Sequence, residues 1–107
     1  MKITSIWFES DTWTEPYDEL DSNMDTILTL DDGTIWTATF FTYQNILSLT
    51  RKNKKSGECL HGLYFCSAGM ILIERLNKSN IQSVISDLLK DNTIPLYCTR
   101  VEDHGNE

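Results

Sequence analysis

The stretch TILTLDDGTIWTATFFT, Thr26–Thr42, sets the tightest limit on what this chain can become. Two runs rich in Thr, Ile, Trp and Phe flank Asp31, Asp32 and Gly33. Asp-Gly between strand-forming runs is a strong short-range hairpin signal, because glycine enters the positive-φ region that a tight turn requires. Thr26–Leu30 and Thr34–Thr42 are therefore expected as paired antiparallel strands.

The rest of the chain is read against that hairpin. Lys2–Phe8 (KITSIWF) is β-branched and aromatic, which predicts another strand. From Tyr43 the period changes to a helical one: Tyr43, Ile46, Leu47 and Thr50 share a face, with Thr42 as N-cap and Gly57 as stop. Arg51, Lys52, Lys54 and Lys55 fall in its last turns, where cations complement the helix dipole. Leu60–Ser67 and Met70–Leu76, joined at Ala68-Gly69, are almost continuously apolar and are expected as strands covered on both faces.

A second helix is the clearest periodic element. Ile81, Val84, Ile85, Leu88 and Leu89 lie on one face, and Ser79 with Gln82 has the spacing of a capping box. Ile94–Val101 reads as a last strand, with Pro95 marking its entry or an edge, and Glu102–Glu107 as a frayed tail. The order is β-β-β-α-β-β-α-β in one domain, residues 1–107. The fold class is α+β: a mainly antiparallel sheet of about six strands with two helices.

Charge restricts the partners. Residues 1–50 hold one base against nine acids, a net −8, whereas residues 51–107 hold eight bases and seven acids. Such a negative half repels nucleic-acid phosphates and anionic lipid and attracts basic surfaces. The longest nearly apolar run, Gly62–Ile73, has 12 residues, short of the ~20 that a helix crossing a bilayer needs. No secretory-type leader pattern follows Lys2, and Cys59, Cys66 and Cys98 are odd in number without CxxC spacing. A cytoplasmic, reduced protein is expected, without nucleic-acid or membrane partners.

Cys59 and His61 are two apart, so a strand would turn both to one face, where His activates a thiolate; no orienting third group is evident. His104 lies in the tail. Asp21, Asn23, Asp25 and Asp32 fall at positions 1, 3, 5 and 12 of a calcium loop, yet Thr26 stands where that loop needs glycine, and a strand follows instead of a helix. Cys59, His61 and Cys98 lack zinc-site spacing. The basic run Arg51–Lys55 has no interleaved aromatic for base stacking. No phosphate-cradling glycine loop occurs. No catalytic residue, metal or cofactor is expected.

The stretch Glu9–Asp25 is the remaining anomaly: seven carboxylates, no Lys or Arg, and the rings Trp13 and Tyr17. Solvated loops are often this acidic. Trp and Tyr, however, dominate interface hot spots, and surrounding charge steers association. Asp11, Trp13, Glu15, Tyr17, Asp18, Glu19 and Asp21 are therefore the candidate partner-binding residues. The competing reading folds both rings back over the sheet as cover.

The segments LTLDDGTIWTATFFTYQNI, GECLHGLYF and MILIERL resemble those of small bacterial α+β immunity proteins, over roughly residues 25–90. The resemblance implies a non-catalytic inhibitor that neutralises a toxic nuclease or other effector from a neighbouring cell. It carries over no catalytic residue. It agrees with the charge pattern, since nucleases that bind phosphates are typically basic. The expected partner is a basic toxin domain, with the chain a monomer or a dimer. A small enzyme or ligand-binding domain using Cys59 and His61, or a general regulatory interaction domain, are the alternatives.

Overall fold

A computed structural model describes residues 1–102. The hairpin forms as the sequence requires. β2 (Asn23–Leu30) and β3 (Ile35–Thr42) pair antiparallel, from Asn23 opposite Phe41 to Thr29 opposite Ile35. The Gly33 amide donates to the Leu30 carbonyl at 3.0 Å, and the Leu30 amide to Thr34 at 3.0 Å. Gly33 has φ +85° with open space where a side chain would stand, so the turn needs its backbone freedom and not its small size.

β1 (Ile3–Phe8) adds antiparallel to β2, and the sheet order is β1-β2-β3-β4. β4 (Met70–Ile73) runs parallel to β3 along residues 39–42. β5 (Thr99–Arg100) pairs antiparallel with Trp36 and Thr37, farther along the same edge of β3. Among the described residues the sheet thus has five strands, mainly antiparallel. Parallel pairing of β3 with β4 requires a crossover. It is made by α1 (Tyr43–Ser56) and the short α2 (Glu58–Gly62).

Alternation puts Met24, Thr26 and Leu28 on one face of β2, opposite Phe40, Ala38 and Trp36 of β3. α3 (Lys78–Lys90) covers that face with Ile81 and Ile85, both fully buried, helped by Leu76 and by Ile94 of α4 (Ile94–Tyr97). Buried Thr26 is satisfied, its hydroxyl donating to the Ala38 carbonyl at 2.9 Å. Val84, Leu88 and Leu89 pack against the same core, so the helical stripe of α3 lies where its period places it.

Four expectations are corrected. Among the described residues the sheet has five strands instead of six, and there are four helices instead of two. Leu60–Ser67 is not a strand: Cys59, Leu60 and His61 lie at φ 52°, 50° and 57°, a left-handed turn bounded by Gly57 and Gly62. β4 and β5 occupy the edge of β3 instead, and Leu63 is 77% exposed. Ile94–Val101 opens as a helical turn, because Pro95 suits a helix's first turn and Ile94 reaches the core; only Thr99–Arg100 remains strand.

The stripe expected on α1 is buried only in part, at Ile46 and Thr50. Tyr43 and Leu47 are 57% and 53% exposed, while Asn45 and Asn53 are buried. The caps of α1 are as read: the Thr42 hydroxyl accepts from the Asn45 amide, and Gly57 closes the helix at φ +89°. The cap of α3 is Asn77, not Ser79; its side-chain oxygen accepts from the Asn80 amide at 2.8 Å. Asn77→Ala should therefore cost about 1 kcal/mol in urea unfolding, whereas Ser79→Ala, on an exposed side chain, should stay within about 0.5 kcal/mol.

Candidate functional site

The acidic stretch leaves β1 as a single 3-10 turn, Glu9–Thr12, and returns to β2 as a strap across one end of the α3 side. It is pinned at two places. At the β4–α3 junction the Leu76 amide donates to the Glu19 carbonyl at 2.7 Å, and the Tyr17 hydroxyl donates to the Leu76 carbonyl at 3.0 Å. The Glu19 carboxylate accepts from the Asn77 side chain at 3.2 Å and faces Arg75 at 3.5 Å. At the start of α1, Asp21 accepts from the Asn45 amide group at 3.0 Å and from the Ser48 hydroxyl at 2.8 Å. Those two bonds, that of Asn45 first, hold the Asp21 carboxyl below its usual range.

The rings meet edge to face. Trp13 and Tyr17 have centroids 5.1 Å apart and planes at 80°, both half-buried against the core. Burial raises the Tyr17 phenol pKa, Glu19 adds to the rise, and Lys78 opposes it. The rings therefore serve partly as cover, yet Thr12–Tyr17 still line a concave surface open to solvent. Asp11 pairs with Lys78, whose ammonium also lies 5.3 Å from the Phe8 ring centroid. The Asp18 side chain accepts from the Leu20 amide at 2.9 Å. Glu15 is exposed, with no hydrogen-bond or ion-pair partner among the described residues.

The strap thus brings Asp11, Trp13, Glu15, Tyr17, Asp18 and Glu19 onto one run of chain beside α3, and sets Asp21 apart against α1. The pairs of Asp11 with Lys78 and Glu19 with Arg75 have both members about half exposed. Pairs of that kind contribute about 0–1 kcal/mol, so an incoming Lys or Arg can displace the internal cation at small cost.

A second surface was not read from the sequence. The sheet face opposite α3 carries Trp7, Ile27 and Ile35, all exposed, with Asp25, Thr37 and Thr39 around them. A groove of about 290 Å³ runs along it between Trp7 and Thr39. The Asp25 carboxylate accepts from the Thr39 hydroxyl at 2.7 Å, and the Asp25 amide donates to the Glu9 carboxylate at 2.8 Å, which joins this face to the strap. The available signal was alternation: in NMDTILTL the apolar Ile27 falls out of phase with Met24, Leu28 and Leu30.

The alternative site separates. Half-buried Cys59 and exposed His61 sit on the left-handed turn, not on one face of a strand. Cys98, the third residue of the zinc reading, is buried in the sheet–helix core, where desolvation raises its thiol pKa to about 11. Asp21, Asp25 and Asp32 of the calcium reading bind α1, Thr39 and Thr34 respectively. Among the described residues no three His, Cys, Asp or Glu side chains gather closely enough to hold a metal ion. His104 lies outside the described residues, as does most of the expected tail.

Comparison with protein-family models, with curated proteins and with solved structures finds no similar family, protein or fold. Among the described residues no helix is long and apolar enough to cross a membrane.

Proposed function

We propose that this chain is a non-catalytic inhibitor of the immunity type, which binds a basic protein domain, such as a toxic nuclease, in the cytoplasm and covers its working surface. The observation that carries the reading is the pinned strap. Glu19, Tyr17 and Asp21 spend their hydrogen bonds holding it in one shape, so little ordering remains to be done on binding. That shape presents an edge-to-face Trp13–Tyr17 pair amid Asp11, Glu15 and Asp18. The rings supply apolar anchors of the hot-spot type, and the carboxylates draw in lysines and arginines.

The test uses the product of the reading frame next to this one, purified as a basic domain and mixed with the chain. Its toxic activity should be suppressed at equal stoichiometry. The association rate should fall by about tenfold or more as salt shortens the screening length from about 30 Å at 0.01 M to about 3 Å at 1 M. Glu15→Lys combined with Asp18→Lys should slow association, because neither carboxylate anchors the strap to another element. Trp13→Ala should instead speed dissociation by about 30-fold or more, the effect of losing an interface anchor. An association rate indifferent to salt, with the charge variant binding like the parent, would refute the proposal.

A further inference from the structure

We propose that a cavity at the turn end of the β2–β3 hairpin is a binding site for a small free amino acid with a large apolar side chain. The cavity, about 430 Å³, lies within the size range of small-molecule sites, roughly 300–1,000 Å³. Four elements converge on it. Leu30 of β2, Trp36 of β3, Leu89 of α3 and Ile94 of α4 form apolar walls. The Trp36 ring is fixed, since its indole N–H donates to the Thr34 hydroxyl at 2.9 Å.

Two charged side chains of opposite sign, Asp32 and Arg100, stand at this mainly apolar cavity, which Met1, Asn92 and Pro95 also line. They do not close into an ion pair, although each lies within the other's field. The Thr34 hydroxyl, at 2.6 Å, and the Thr34 amide, at 2.9 Å, both donate to one Asp32 oxygen and hold its carboxyl below the usual range. Its other oxygen has no partner among the described residues. Arg100 is exposed and likewise has no carboxylate within ion-pair distance among them.

This arrangement selects by charge. A simple apolar acid would satisfy Arg100 but bring its carboxylate against Asp32, and an apolar amine would meet the reverse conflict. A zwitterion answers both, its ammonium toward Asp32 and its carboxylate toward Arg100, with the side chain in the Leu30–Trp36–Leu89–Ile94 cavity. Recognition by attraction at two points, and by repulsion of singly charged analogues, is specificity by difference. The site is independent of the strap and of the partner-binding proposal.

The experiment titrates the ¹⁵N-labelled chain with L-phenylalanine, N-acetyl-L-phenylalanine and L-phenylalaninamide while following indole N–H signals. The Trp36 signal is assigned by its loss in Trp36→Phe, and Trp7 and Trp13 serve as internal references. L-Phenylalanine should shift Trp36 alone, with a Kd on the order of 1 mM for a ligand of this size. Each blocked analogue should bind about threefold to tenfold more weakly. Asp32→Asn should remove the penalty for the acetyl group and keep that for the amide, while Arg100→Gln should do the opposite. Asn at position 32 retains an oxygen to accept from Thr34, and residue 100 is exposed, so both variants should fold. Absence of a Trp36 shift at about 20 mM, equal shifts of all three indoles, or equal affinity for the three ligands would overturn the assignment.

Discussion

Replacing Phe40 with alanine should lower the free energy of unfolding by about 3–5 kcal/mol, read as a large drop in the urea midpoint. Phe40 is fully buried on β3, opposite Met24 on one side and Ile71 on the other. β3 is hydrogen-bonded to β2, β4 and β5, so its backbone cannot move inward to fill the space a lost ring leaves. The cost therefore includes the cavity as well as the lost transfer energy. Phe41 is the comparison. It lies on the opposite face and is covered edge to face by Phe65, 5.2 Å away, on an irregular segment that can settle into the gap. Phe41→Ala should cost less than Phe40→Ala. The reverse order would mean that the Phe65 segment does not settle into the gap.

The parts of the fold legible in the sequence are those that local physics decides. Asp-Gly fixed the hairpin because few other residues enter the positive-φ region at low cost. The α3 stripe was legible because five apolar residues at helical spacing have one side on which to be buried. The Thr42 and Gly57 caps of α1 were legible for the same local reason. Parallel pairing of β3 with β4 was not, since it joins residues about 30 positions apart, a separation no local pattern records. The apolar run Leu60–Ser67 misled because apolar composition indicates burial only when an element is available to pack against. Here β4 and β5 take the edge of β3 instead. Ile94–Val101 reads as a strand by composition, but Pro95 suits a helix's first turn and buried Ile94 anchors that turn in the core.

Of the candidate surface, the sequence disclosed the charge but not its use. Seven carboxylates between Glu9 and Asp25 are visible in any reading. That Glu19 ties the strap to Arg75 and Asn77, and Asp21 to Asn45 and Ser48, depends on tertiary neighbours that arrive from β4, α3 and α1. The two readings of Trp13 and Tyr17, cover or contact, turn out not to exclude each other. Each ring buries one side against the core and leaves the other toward solvent. Trp7 stands in an apolar run between Ile6 and Phe8, and only its register with Ile27 turns it outward.

The left-handed turn supplies the second large effect. Gly62→Ala should destabilise the chain by about 2–5 kcal/mol, from a left-handed backbone penalty of about 1–2 kcal/mol and a steric one of about 1–3 kcal/mol. Gly62 has φ +79°, and an added Cβ would stand 2.8 Å from the Thr50 carbonyl oxygen and 3.0 Å from Lys54 Cγ. The Thr50 oxygen belongs to the backbone of α1, which cannot shift without loss of helix hydrogen bonds. Gly33→Ala separates the two contributions: φ is similar at +85°, but nothing lies within 4 Å, so only the backbone part, about 1 kcal/mol, should appear. Leu60→Gly should act in the opposite sense. Leu60 sits at φ +50° with its side chain 68% exposed, so glycine relieves strain and gives up little packing. The order Gly62→Ala, Gly33→Ala, parent, Leu60→Gly in rising urea midpoint follows from a turn that is left-handed and pressed against α1. Equal midpoints for the two alanine variants would remove the pressing contact, and a destabilised Leu60→Gly would remove the left-handed strain.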